Sequence, residues 1–169
     1  LYLAKSPKKP PARKSLAPDS RNLMSVNPTE IRKALLTAGF ELYRTQGDQV
    51  HVADRVRDNL IMDSGVSIST SLDVKFVVRA QRSDFPSDAT AKLFERARAL
   101  ASPAIARGYV ETGAVTSPMH DPADPSRTLD TWYEITFEKS VATLPDAMTE
   151  VGFALGIEKT ARTPAPNSV

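Results

Sequence analysis

The chain has no cysteine, which excludes disulfides, thiolate nucleophiles and sulfur-ligated zinc and is compatible with a reducing compartment. Histidine is almost missing as well: His51 and His120 are the only two, so imidazole chemistry is confined to two places. The seven glycines are scattered, none in a Gly-x-Gly or Walker pattern, and no phosphate-cradling loop is present. No apolar run approaches the roughly 20 residues that cross a bilayer, and no signal-peptide core precedes a small-residue cleavage site. Cytoplasm is the expected compartment. The chain opens on Leu1 instead of Met, which reads as a processed or shortened form of something longer.

What remains is the composition of a folded protein. With 169 residues, 41% apolar and 25% charged, the chain suits one domain with tails. Its 13 prolines gather at the two ends and in two loops, where they mark boundaries. Charge is segregated. Residues 1–22 hold Lys5, Lys8, Lys9, Arg13, Lys14 and Arg21 against Asp19 alone, a net of +5, while the rest carries 16 Lys and Arg against 19 Asp and Glu, a net of −3. This basic, Pro-rich stretch has no pattern to bury and reads as a flexible arm or linker. It either solubilises a link to a neighbouring segment or attaches electrostatically to nucleic acid or an anionic surface, with Lys5, Lys8, Lys9, Arg13 and Lys14 as contacts.

The clearest structural statement is at 128–139. Leu129, Thr131, Tyr133, Ile135 and Phe137 alternate with Asp130, Trp132, Glu134, Thr136 and Glu138, the period of a strand with one buried face. Other elements read as paired with it or packed on it. Asn27, Pro28 and Glu30 sign the start of a helix over 28–38 with the stripe Ile31, Ala34, Leu35 and Ala38, closed by Gly39 with Phe40 folding onto Leu35. Phe40 to Arg44 and Gln49 to Ala53 flank a tight turn at Gln46-Gly47-Asp48. Val52, Ala53, Val56, Leu60 and Ile61 then fit a helical stripe from about 51 to 62, which predicts a second helix ended by Asp63-Ser64-Gly65. Val66 to Ser69 and Leu72 to Ala80 are strands, the latter with Val74, Phe76 and Val78 on one face and Lys75, Arg79 and Gln81 on or beyond the other.

Asp84-Phe85-Pro86-Ser87 is expected to open the longest helix, with Leu93, Phe94, Ala97, Leu100 and Ala101 buried and a break at Ser102-Pro103. Tyr109 to Thr116 is the partner of the organising strand, joined to it by an exposed, stiffened loop over 117–126. Thr143 caps a last helix to about Glu158 on Leu144, Met148, Val151 and Leu155, whose Gly152 and Gly156 suggest close packing. The sum is an α+β domain from about 23 to 160, between tails 1–22 and 161–169. Its largely antiparallel, twisted sheet has about five strands, with helices packed mainly on one face.

Chemistry is thinner. His120, Asp121 and Asp124, with Ser117 nearby, form a loop cluster open to a metal-dependent or hydrolytic reading, but Pro122 and Pro125 restrict convergence and such turns are ordinary on surfaces. His51 lacks a nameable partner for general-base work. Glu111, Asp130, Glu134 and Glu138 could line one exposed face, where solvation is the ordinary reading. Trp132 points away from the buried stripe, so either the second helix or a tail covers it, or it is an aromatic anchor beside Lys75, Arg79 and Gln81. No catalytic residue, metal or cofactor is assigned.

The order of elements resembles the small α/β folds of type III secretion chaperones and their YbjN-like relatives, from whose continuous three-stranded meander the expected helix at 51–62 departs. That resemblance implies a protein that binds other proteins. The leading expectation is therefore a non-enzymatic interaction or regulatory module whose open sheet face meets a protein partner or a second copy. A nucleic-acid or anionic-surface binder acting through the tail comes second, and an enzyme using the His120 loop third.

Overall fold

The computed structural model describes residues 25–162. The basic segment with Lys5, Lys8, Lys9, Arg13 and Lys14 lies outside the described residues, as does 163–169. Helix α1 (Pro28–Thr37) starts as its sequence dictates. The Asn27 side chain accepts from the Thr29 amide at 2.8 Å, and the Asn27 amide donates to Glu30 at 3.2 Å, a reciprocal cap. At its end Gly39 takes φ +85° and the Phe40 amide returns to the Leu35 carbonyl at 2.9 Å.

Four strands follow without interruption: β1 (Leu42–Gln46), β2 (Gln49–Arg57), β3 (Leu60–Ser69) and β4 (Asp73–Gln81). The helix expected at 51–62 is thus the β2–β3 hairpin. Val52, Val56 and Leu60 match a helical period only by coincidence of four-residue spacings. Val50 and Val52 are both fully buried, as an alternating strand requires, and Asp58-Asn59 supplies the turn. Register shifts between His51 and Ala53 and again between Arg55 and Arg57 break the alternation beyond Val52, which is why no clean period of two was readable there.

Helices α2 (Thr90–Leu100) and α3 (Ser102–Ala106) lead to β5 (Val110–His120), β6 (Thr128–Ser140) and α4 (Leu144–Arg162). The six strands form one antiparallel sheet in the order β1-β2-β3-β4-β6-β5. The architecture is α+β, with the helices mainly on one face. The organising strand β6 lies between β4 and β5, paired on both sides.

Between the helices and the sheet, Phe76 and Phe137 stack at 5.5 Å between ring centroids, with Tyr109 edge-on to Phe76 at 5.2 Å. Val74, Val78, Ile135, Ile31, Leu35 and Leu93 complete this core. The longest helix is α4, with 19 residues, and α2 has 11. Residues 84–89 remain a loop, in which Asp88 holds Lys92 at 3.1 Å and Arg96 at 2.7 Å.

On α4 the fully buried arc is Ala147, Val151 and Ala154, with Leu144, Met148 and Leu155 only partly covered. Small residues let this helix lie close to the sheet. Gly152 faces the Phe40 ring, with 3.6 Å between that ring and an added Cβ, whereas Gly156 has open space.

The chain turns sharply between β3 and β4. Leu72 there is buried at φ +63°, a left-handed conformation unusual for a branched residue. Its carbonyl accepts from Val141 at 3.1 Å, and the neighbouring Thr70 carbonyl accepts from Val26 at 2.8 Å.

Candidate interaction surface

The strand period that sends Phe76, Val78, Ile135 and Phe137 to the core sends their neighbours to the opposite face. Register places Gln81 opposite Trp132, Arg79 opposite Glu134 and Lys75 opposite Glu138. The four residues singled out from sequence, Trp132, Lys75, Arg79 and Gln81, therefore share one sheet face. Arg79 Nε donates to Glu134 Oε1 at 2.6 Å, and the Arg79 guanidinium lies 4.8 Å from the Trp132 ring centroid. Ser117, paired in register with Trp132, donates to the other Glu134 oxygen at 2.6 Å. Lys75 Nζ meets Glu138 at 3.2 Å.

Trp132 is partly buried under this neighbourhood. Its indole N–H is shielded from solvent and finds no acceptor among the described residues, a group that costs about 1–3 kcal/mol when left unpaired. Residues 51–62 do not form the helix that was one candidate cover for the ring. The other, a terminal tail, lies outside the described residues.

Farther across the same sheet, Asp73 accepts from Ser69 at 3.1 Å, Ser71 at 2.8 Å and Ser140 at 2.5 Å. Burial works against its charge, but these hydroxyls outweigh it and hold the carboxyl below its ordinary value. His51 Nδ1 lies 3.2 Å from Asp63, which also approaches Arg44 at 3.8 Å. This His–Asp pair was missed from sequence because a helix over 51–62 hides it. A hairpin reading would have brought residue 63 back toward residue 51.

Other candidates do not converge. In the His120 loop, Asp121 accepts from the Ala123 amide and approaches Arg127 at 3.6 Å, while Asp124 accepts from the amide and hydroxyl of Ser126. Both carboxylates are spent on the turn. Among the described residues no group of three or more His, Asp or Glu is placed to hold a metal. Of the four acids expected on one face, Glu111 lies on the helix side in a two-pronged pair with Arg98, both contacts 2.8 Å. The Arg98 hydrogen bonds lower its pKa. Asp130, on the open face, is held by Ser83, and Glu134 and Glu138 by their cations.

On the helix side, Glu150 of α4 is 8% exposed and sits between Arg107 at 2.9 Å and Lys139 at 2.7 Å. Burial penalises its charge, yet Lys139 and Arg107 together keep its pKa below the usual glutamate value. Tyr109 donates to the Glu150 carbonyl at 3.3 Å, and its burial pushes the phenol well above its ordinary pKa. This cluster fixes α4 to the end of α3 and to β6. An apolar groove of about 780 Å³ between α1 and the start of α4 is lined by Val26, Ala34, Ala38, Leu144 and Met148. The sequence had assigned several of these residues to the core.

No protein-family model matches the chain, and neither curated proteins nor solved structures give a match. Among the described residues no helix is long and apolar enough to cross a membrane.

Proposed function

We propose that the protein is a non-enzymatic interaction module that engages a protein partner through the face bearing Trp132, Arg79, Lys75 and Gln81. The observation that carries this reading is the Arg79–Trp132–Glu134 cluster: an aromatic ring, a guanidinium stacked on it and a carboxylate, set in register on two central strands with no described helix over them. Tryptophan and arginine on a rigid surface are the residue types that dominate binding energy at protein interfaces. Rigid strands also hold them without the entropy cost of ordering loops.

The test is a photo-crosslinking side chain at Gln81 in the full chain, expressed in its native cells. Discrete protein adducts that disappear on Trp132→Ala, with unchanged far-UV circular dichroism, support the reading. Adducts indifferent to Trp132 overturn it. A second reading rests on the concentration of +5 net charge in residues 1–22: the arm binds nucleic acid or an anionic surface, and the domain is its cargo. Binding to a DNA duplex or to anionic vesicles that weakens steeply with salt, and vanishes on deletion of 1–22, would favour it.

A further inference from the structure

The strand β5 differs from every other long strand of the sheet. It runs for 11 residues, pairs with β6 alone, and none of its residues is fully buried. Val110 is 64% and Val115 55% exposed. A long edge strand of this kind presents unpaired N–H and C=O groups and is normally blunted by charge, proline or a covering element.

Its blunting devices are off centre. The only charged residue, Glu111, is turned to the helix side and occupied by Arg98. The proline is Pro118, near the other end. Its partner across the ladder is Thr131, whose carbonyl bonds the Arg82 amide on the β4 side at 2.9 Å. Thr131 therefore turns its peptide groups away from β5, and Pro118 turns its own toward the free edge, where the missing N–H harms no bond within the chain. By alternation, and with no register shift between Gly113 and Pro118, Thr116 and Ala114 also direct their N–H and C=O outward. Neither makes another backbone hydrogen bond among the described residues.

We propose that a second copy of this chain pairs antiparallel with β5 about a two-fold axis at Val115, joining two sheets into one. This register is self-complementary. Ala114 faces Thr116 of the second copy and the reverse, giving two hydrogen-bonded pairs, or roughly four N–H···O=C bonds. Val115 meets Val115, Gly113 meets Ser117, and Glu111 meets Met119, so no like charges oppose each other across the axis. Pro118, facing Thr112, ends the ladder at both sides.

Helix α2 reaches β5 through Arg98 on Glu111, near the start of the strand, whereas Ala114 and Thr116, the helix-side residues at the axis, are exposed, which leaves the helix side of the junction open there. Both open faces then lie on the same side of the joined sheet. At about 4.8 Å between strands and 3.4 Å per residue, the two Trp132 clusters stand about 20 Å apart. The pairing rests on the edge of β5 alone and is independent of what the open face binds.

The absence of cysteine makes the test clean, because a single introduced thiol is the only one present. At the axis, Val115 faces its own copy in a non-hydrogen-bonded pair with Cα atoms about 4.5 Å apart, inside the window of a disulfide. Under mild oxidation the full-length V115C variant crosslinks to a dimer. V110C, at a position more exposed than Val115 but facing His120 of the second copy, stays monomeric over the same time. In light scattering the unmodified chain is a dimer, whereas Val115→Lys, which opposes two cations at the axis, and Thr116→Pro, which removes an outward donor, are folded monomers. An unmodified chain that is monomeric at its highest soluble concentration overturns the proposal. So does V115C crosslinking no faster than V110C, or a dimer that survives both substitutions.

Discussion

One residue's shift along β4 or β6 separates two different kinds of surface. On the helix side Val74, Phe76, Val78, Ile135 and Phe137 are closed from water and touch one another. On the other side Lys75, Arg79, Glu134 and Glu138 face each other as ion pairs, partly open to solvent. Each buried apolar side chain contributes about 1.5–3 kcal/mol relative to exposure, whereas an exposed ion pair contributes about 0–1 kcal/mol. Stability is therefore concentrated on one face, and the other is free to be shaped for recognition.

Substitutions on the two faces should break this contrast if it is wrong. Phe76→Ala removes a ring that stacks on Phe137 and meets Tyr109, and is expected to cost about 3–5 kcal/mol in denaturant unfolding. Glu150→Gln strips the one acidic group from between Arg107 and Lys139 and is expected to cost about 1–3 kcal/mol, discounted because both cations reach solvent. Arg79→Ala on the open face should cost under about 1 kcal/mol, while still disturbing whatever the Trp132 cluster binds. A loss at Arg79 as large as that at Phe76 would show that the open face is structural.

Acid sharpens the same comparison. Glu150 on the helix side and Asp73 on the open side both have pKa values below their ordinary 4.5 and 3.8. Their charged forms stabilise the fold fully above those ordinary values, and that contribution is lost as pH falls through the depressed folded values. The melting temperature should accordingly drop on acidification below about 4.5. In Glu150→Gln part of that slope should disappear, and thermal melts from pH 6 to pH 2 would record it.

The central strands were legible because their alternation is uninterrupted over β4 and β6, and the α1 cap because Asn27, Pro28 and Glu30 each have one local role. Legibility failed where two geometries share a spacing. Val52, Val56 and Leu60 satisfy a helical stripe, and the bulged hairpin that they actually form scrambles the strand period. It failed again at β5, where Ser117-Pro118 looked like the start of a loop over 117–126. Only the three-dimensional fact that the Pro118 nitrogen faces a free edge makes this proline compatible with a strand continuing to His120. On α4, Val151 was legible, but leucine and methionine drew attention to a partly covered flank, although the other fully buried positions are Ala147 and Ala154. The grouping of Trp132, Arg79, Lys75 and Gln81 followed from parity alone. Glu134 and Ser117, which complete the cluster, needed the register.

The turn between β3 and β4 also has a mechanical meaning. Val26, just ahead of α1, hangs from Thr70, Val141 at the junction of β6 and α4 hangs from Leu72, and Thr70 in turn donates to Asp48 of the β1–β2 turn at 3.0 Å. Tension applied through the N-terminal segment is thus delivered first to Thr70. It spreads from that node into two hairpins and, through Leu72, into the root of α4, so that the load is shared instead of peeling α1 away first.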